Sequence, residues 1–158
     1  DNVKLNGWNH ERHQAFVDDA FRFLERMEED YDIIVLDPPA FAKHRDVLRN
    51  ALKGYTRLNF KAFEKIRHGG ILFTFSCSQA VSKDQFRMAV FTAAAQSGRS
   101  VRILHQLHQP ADHPINIYHP EGEYLKDWFF MLNNTPCKLN LLTKQALKAI
   151  LMLNNDNK

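Results

Sequence analysis

Cysteine, glycine and long apolar runs are all scarce in this sequence, and each scarcity excludes something. Only two cysteines occur in 158 residues, Cys77 and Cys137. They lie far apart and form no metal-spaced pair, which argues against a disulfide scaffold and a metal site and leaves a reducing cytoplasm as the expected compartment. No apolar run approaches the roughly 20 residues needed to span a bilayer, and no charged-then-apolar segment opens the chain, so no membrane partner is expected. The six glycines are thinly spread. No Gly-rich loop follows any expected strand, and Gly69-Gly70 precedes one.

What is present is ordinary in bulk. Apolar residues make up 44% of the chain and charged residues 25%, the balance of a globular protein, and the length is one domain's worth with a real core. Charge is unevenly placed. Between Lys43 and Arg67, eight basic residues (Lys43, Arg45, Arg49, Lys53, Arg57, Lys61, Lys65, Arg67) stand against two acids (Asp46, Glu64). That segment carries +6 in a chain of +3, leaving the remainder at −3. Such a patch suggests a polyanionic partner. From Arg45 to Lys65 the basic residues recur every four positions, which makes them neighbours on a helix surface; a solvated helix face shows the same pattern. Gly54 is expected to divide this stretch into two helical pieces, the second using Leu58, Phe60, Phe63 and Ile66 as apolar positions.

The rest of the chain is organised around Tyr31-Asp32-Ile33-Ile34-Val35-Leu36-Asp37-Pro38-Pro39-Ala40-Phe41. The continuous apolar run Ile33 to Leu36 reads as a strand buried on both faces of a parallel sheet. It ends on a carboxylate and two prolines, which fix φ and offer no N–H, so the chain leaves stiffly and presents Asp37 and Phe41 at the tip. In open α/β sheets, ligands bind beyond the carboxyl ends of the strands. Asp37 therefore falls where such a fold does its chemistry, although Asp-Pro-Pro taken alone is also an ordinary strand exit.

On either side of that stretch, strands and helices alternate. Asp1 to Gly7 reads as the last turns of a helix whose beginning is absent, with Gly7 at C′, a first sign that the chain is a fragment. Gln14 to Val17 is a short strand candidate ending at Asp18-Asp19, and Ala20 to Glu29 is a helix with Phe21, Leu24 and Met27 on one face. After the basic stretch, His68-Gly69-Gly70 turns the chain into a second apolar strand, Ile71 to Phe75, ending in Ser76-Cys77-Ser78. Ser82 and Gln85 form a capping box for a helix whose buried stripe is Phe86, Ala89, Val90 and Ala93, and Gly98 stops it. Val101 to Leu107 is a third strand, a loop rich in proline and histidine runs from Gln109 to Gly122, and Tyr124 to Leu132 closes the order. This repetition implies right-handed crossovers and a doubly wound α/β sheet over residues 1–132. Residues 133–158 differ, with Leu139, Leu142, Ala146, Ile150 and Leu153 spaced as an amphipathic helical tail.

Two strand tips thus carry reactive groups, Asp37 and Cys77. Neighbouring parallel strands end on one edge, so both would face one crevice. A lone cysteine is commonly a small buried hydrophobe, but this one follows an apolar strand, is flanked by two serines and stands a few residues before a helix start.

Four motifs now combine: Asp37-Pro38-Pro39-Ala40-Phe41, Gly69-Gly70-Ile71-Leu72-Phe73-Thr74-Phe75-Ser76-Cys77-Ser78, Ala111-Asp112-His113-Pro114 and Pro120-Glu121-Gly122-Glu123-Tyr124-Leu125-Lys126. In this order and spacing, from about Asp1 to Met131, the chain resembles the bacterial S-adenosylmethionine-dependent methyltransferases that make 5-methylcytosine in 23S ribosomal RNA. The resemblance implies a Rossmann-like methyltransferase sheet, mostly parallel with an antiparallel last strand and lacking its N-terminal strands. It implies Cys77 as the nucleophile that adds to cytosine C6, and Asp37 as the carboxyl group on the cytosine edge. Asp19, in Val17-Asp18-Asp19-Ala20, matches the residue that binds the cofactor's adenine amino group, and Pro38 and Pro39 line the pocket between methyl donor and base. Cytosine C5 is a poor nucleophile, so a transient bond at C6 is needed to push electron density onto it. The base must also leave its stack. Lys43, Arg45 and Arg49, directly after the pocket strand, are expected to hold RNA phosphates.

The likeness has gaps. The family's Gly-rich cofactor loop and the acid that takes the ribose hydroxyls belong to strands absent here, as do its N-terminal RNA-binding domains. The chain by itself is therefore expected to bind S-adenosylmethionine weakly or not at all, with its ladder edges exposed. Ribosomal RNA is the expected partner, homodimerisation is left open, and the acceptor of the C5 proton is unassigned. Three alternatives stand beside this reading. An amino-group methyltransferase uses Asp-Pro-Pro-aromatic without a thiol. A catalytically incomplete RNA-binding fragment keeps the basic stripe alone. A thiol hydrolase would pair Cys77 with His113 or His119, although no spacing ties them.

Overall fold

In the computed structural model, residues 2–8, 11, 13–28, 31–42, 47–119 and 122–136 are described. In chain order they form α1 (Asn2–Leu5), α2 (Ala20–Arg26), β1 (Tyr31–Leu36), α3 (Leu48–Lys65), β2 (Ile66–Ser76), α4 (Lys83–Ser97), β3 (Arg99–Leu107) and β4 (Lys126–Pro136). The sheet order is β1-β2-β4-β3. β1 and β2 pair in parallel, and β4 runs antiparallel to both of its neighbours. Three strands therefore share one direction, as the alternating pattern implies, and the last is inserted against them, as the family resemblance implies.

Burial departs from expectation in one respect. In β1, Ile34 and Leu36 are buried, but Ile33 and Val35 are 55% and 60% exposed. β2 repeats the alternation, with Leu72, Thr74 and Ser76 buried and Ile71, Phe73 and Phe75 half-buried. The continuous apolar run is thus not buried on both faces. Among the described residues the helices cover one face only, where Leu24, Ile34, Leu36, Leu58, Phe63, Phe86, Val90, Phe130 and Leu132 share one core. A side chain the size of leucine gains about 1.5–3 kcal/mol on full burial, so this face fixes the register. On the other face Phe73 stacks on Phe129 with ring centroids 4.2 Å apart, and the β1 edge has no ladder partner among the described residues.

Several local expectations shift with that arrangement. Gln14 to Val17 is not a strand, and Phe16 and Val17 are exposed, because a strand exists only where a neighbour completes its hydrogen bonds. Gly54 does not split the basic stretch, since α3 runs unbroken through it. A Cβ there would stand 3.2 Å from Cδ2 of Phe41, so the glycine admits a ring rather than ending a helix. Ile66, expected on the helix, is the first residue of β2. The start of β2 is irregular: Tyr31 pairs with Ile66 but Ile33 with Ile71, and Gly69 takes φ +71 in the intervening turn.

Other elements match their signals. Ser82 caps α4 in a reciprocal capping box with Gln85, and Phe86, Ala89, Val90 and Ala93 are its buried stripe. Gly98 ends it in the left-handed region at φ +68. β4 continues to Pro136, past the boundary expected at 132; the tail positions Leu139 to Leu153 lie outside the described residues. No helix among the described residues is long and apolar enough to cross a membrane.

Candidate active site

The last paired residues of β1 and β2 are Leu36 and Thr74. One step further, Asp37 comes level with Phe75, and Cys77 lies two residues beyond Phe75. Side chains alternate along a strand, so Asp37 follows Val35, and Cys77 follows Phe75, onto the same uncovered face. Asp37 is exposed and Cys77 is a half-buried free thiol. The two predicted reactive groups therefore share one edge and one face of adjacent parallel strands.

A buried hydroxyl chain holds these tips. Ser76 and Ser78 flank Cys77 and turn toward the helices, where both are fully buried. Ser76 Oγ donates to Tyr55 OH at 2.9 Å, and Tyr55 OH pairs with Ser78 Oγ at 2.9 Å. The Ala42 N–H also donates to Ser78 Oγ at 3.4 Å. One phenol on α3 thereby ties the turn carrying Cys77 to the segment leaving Asp37. Phe41 secures the same segment: its ring lies 4.7 Å from that of Tyr55 and stacks at 6.5 Å on Phe21.

β4 contributes two charged residues that the motif reading left without a role. Because β4 is antiparallel, its first residues lie at the edge where β1 and β2 end. Lys126, opposite Ser76, is buried and donates from Nζ to Ser78 O at 2.8 Å and Tyr124 O at 2.7 Å. Burial holds its ammonium below the ordinary lysine range. Asp127 is opposite Phe75, only 8% exposed, and its Oδ1 has no hydrogen-bond partner. Burial pushes its carboxyl up, and the negative charge of Asp37 adds to the rise against His108 and Lys126. The signal was legible: one acid directly ahead of the apolar run Trp128 to Met131, in phase with the half-buried Phe129.

Asp19 caps α2, its Oδ1 accepting from the N–H groups of Phe21 and Arg22 at 3.0 and 3.1 Å. Phe21 stacks on Phe41, so this N-terminus lies at the same end of the sheet as the Asp37 exit. Pro38 is half-buried and Pro39 exposed. Of the expected phosphate contacts, Arg49 is exposed on the first turn of α3, while Lys43 and Arg45 lie outside the described residues. Three further members of the stripe, Arg57, Lys61 and Lys65, also have partners within the chain. Arg57 lies over Phe21 and 3.6 Å from Glu25, Lys61 pairs with Glu64 at 3.2 Å, and Lys65 Nζ donates to Met27 O at 2.6 Å. Two of these residues, Arg57 and Lys65, thus fasten the α2 segment to α3. His113 pairs with Asp112 rather than with Cys77.

The sheet is Rossmann-like, and solved structures share its fold. The fold matches that of a Streptococcus mutans protein described as a SAM-dependent methyltransferase, with a TM-score of 0.67 over 82% of this chain and 33% of that one, at 21% identity. It also matches a protein described as a methyltransferase and solved in complex with SAH, with a TM-score of 0.65 over 82% of this chain and 34% of that one, at 22% identity. In sequence, the chain is similar to ribosomal RNA large subunit methyltransferase I of Klebsiella pneumoniae, 39% identical over 128 residues. That match spans 79% of this chain and 32% of the relative, so the chain spans about a third of the length of the curated relatives it matches. The fold is shared with those solved structures, and the sequence is similar to that of the methyltransferase just named. No family model matches it.

Proposed function

We propose that the chain is part of an S-adenosylmethionine-dependent methyltransferase of ribosomal RNA, acting on cytosine C5 through a covalent bond to Cys77. The observation that carries this reading is the placement of Cys77 beside Asp37, at the tips of adjacent parallel strands and on one face. An amino-group methyltransferase needs the carboxyl group and has no use for a thiol on a turn held by two serines and a tyrosine. The names of the relatives point to ribosomal RNA as substrate, and the SAH bound by the solved relative points to the methyl donor. Such an enzyme works in the cytoplasm, where bacterial ribosomal RNA is made.

The residues present fit one corner of the donor. The exposed Asp37 and Pro39 and the half-buried Pro38 are open to a ligand at the sheet's end, and Asp19 presents a carboxylate at the same end. When bound, S-adenosylmethionine supplies an electrophilic methyl group on a sulfonium. The chain's own work is then threefold. Asp37 holds the amino edge of the cytosine, Cys77 as its thiolate adds to C6 and raises the electron density at C5, and Pro38 and Pro39 keep the pocket narrow and dry. Lys43, Arg45 and Arg49 hold flanking phosphates, so binding weakens with salt and weakens further when they are removed.

The test uses the full-length protein and RNA carrying 5-fluorocytidine, whose C5 fluorine cannot leave as a proton would. Wild type should form a denaturant-stable RNA adduct, and Cys77→Ala should form none and lose methyl transfer. Methyl transfer undiminished in Cys77→Ala would overturn the C5 reading and favour the amino group as acceptor.

A further inference from the structure

We propose that Asp127 is the group that takes the C5 proton from the methylated base, an inference that rests on the cytosine-C5 reading above. Asp37 on β1 and Asp127 on β4 stand level with Phe75 on the strand between them. Each is in phase with the uncovered face, Asp37 after Val35 and Asp127 before Phe129. They are two strand spacings apart, roughly 10 Å, with Cys77 one side-chain repeat beyond Phe75 at the open end of β2. A cytosine entering above Phe75 thus meets a carboxyl group on either side and the thiol ahead. With Asp37 on its N3 and amino edge and sulfur on C6, the side of the ring bearing C5 turns toward β4.

The state of Asp127 suits the task. Three buried side-chain oxygens lack partners among the described residues, on Asn59, Thr74 and Asp127, and of these only Asp127 ionises. A carboxylate oxygen with no donor to satisfy it is a costly feature of a core, and one that persists at the mouth of a reaction site has an unmet acceptor to offer. Burial, and the charge of Asp37, raise its affinity for a proton against the pull of His108 and Lys126. A base so tuned accepts a proton more readily than an ordinary aspartate. On the side away from β1 and β2, the start of β4 borders a cleft of about 160 Å³ shared with Lys83, Asp84 and Arg87 of α4 and with His108, which gives the carboxyl group a way to return a proton to solvent.

The step balances within these residues. Once C5 carries its methyl group, the C5–H bond breaks and its proton goes to Asp127. The released pair forms the C5–C6 double bond, and the C6–sulfur bond breaks with its pair returning to Cys77 as thiolate. Asp127 then passes the proton to solvent.

Asp127→Asn in the full-length protein removes the acceptor at nearly constant shape. Because it also removes an unpaired buried charge, the variant should fold. The carboxyl group's raised pKa contributes stability in acid that is lost as pH rises through its folded value, so the variant should gain on wild type from the ordinary 3.8 upward. With unmodified RNA and S-adenosylmethionine, the variant should stall as a denaturant-stable adduct already bearing the new methyl group, at least about 10-fold above the trace seen with wild type. Asp127→Ala should stall likewise, and added formate should release its product. Turnover of either variant within about 3-fold of wild type, without adduct, would overturn the proposal. Failure of wild type to trap on 5-fluorocytidine RNA would instead sink the C5 reading itself.

Discussion

Tyr55 is fully buried on α3, yet its phenol oxygen bridges the hydroxyls on either side of Cys77. Phenylalanine keeps the ring contacts with Phe41 and Phe86 and deletes only that bridge. Buried polar groups deprived of a partner cost about 1–3 kcal/mol. We expect Tyr55→Phe to lower the unfolding free energy by about that amount in urea melts. It should also slow adduct formation at Cys77 while RNA affinity holds. Unchanged stability would mean that the two serines re-pair without Tyr55. No local pattern marks this tyrosine: helical periodicity places it on an inward face, and only the packing of α3 across the strand tips brings it to Ser76 and Ser78.

Among the elements, β2 leads into Cys77 and its start sets its register. Between the pairs Tyr31–Ile66 and Ile33–Ile71 the strand takes up extra residues, with Gly69 at positive φ and Gly70 pressed against its surroundings. A Cβ on Gly70 would lie 2.7 Å from Ile66 Cγ1, 2.9 Å from Arg67 O and 3.1 Å from Asp32 O. Two of these neighbours are backbone and cannot swing aside. Gly70→Ala should therefore destabilise by about 2 kcal/mol or more, read as a lower thermal midpoint, and an unaffected midpoint would show that the bulge relaxes freely. The sequence announced a turn at Gly69-Gly70 but not that it lies inside the strand. Gly54 shows the converse, because composition suggested a break where the helix continues beneath Phe41.

For the whole molecule, the decisive feature is that among the described residues one sheet face is covered and the other is not. Asp37, Cys77 and Asp127 all belong to the uncovered face, beside exposed Ile33 and Val35. A methyl donor held only by Asp19, Asp37 and the two prolines has few contacts for its sugar and amino-acid ends. The 158-residue chain alone should therefore bind S-adenosylmethionine weakly, and an isothermal titration returning micromolar affinity would contradict this.

The sequence by itself determined the alternation of strands and helices, the capping of α4 by Ser82, and the positions of Asp37 and Cys77 at strand ends. These follow from apolar periodicity, capping chemistry and proline stereochemistry, all of which act over a few residues. Tertiary structure alone decided the rest. It placed β4 between β2 and β3, which brought Lys126 and Asp127 to the edge where β1 and β2 end. It turned Arg57 and Lys65 of the basic stripe into contacts between the α2 segment and α3, and among the described residues it left one face of an apolar strand open. The reason is physical: strand neighbours and helix faces are chosen by burial and hydrogen bonding between segments far apart in the chain, and no local pattern records which segment will lie beside which.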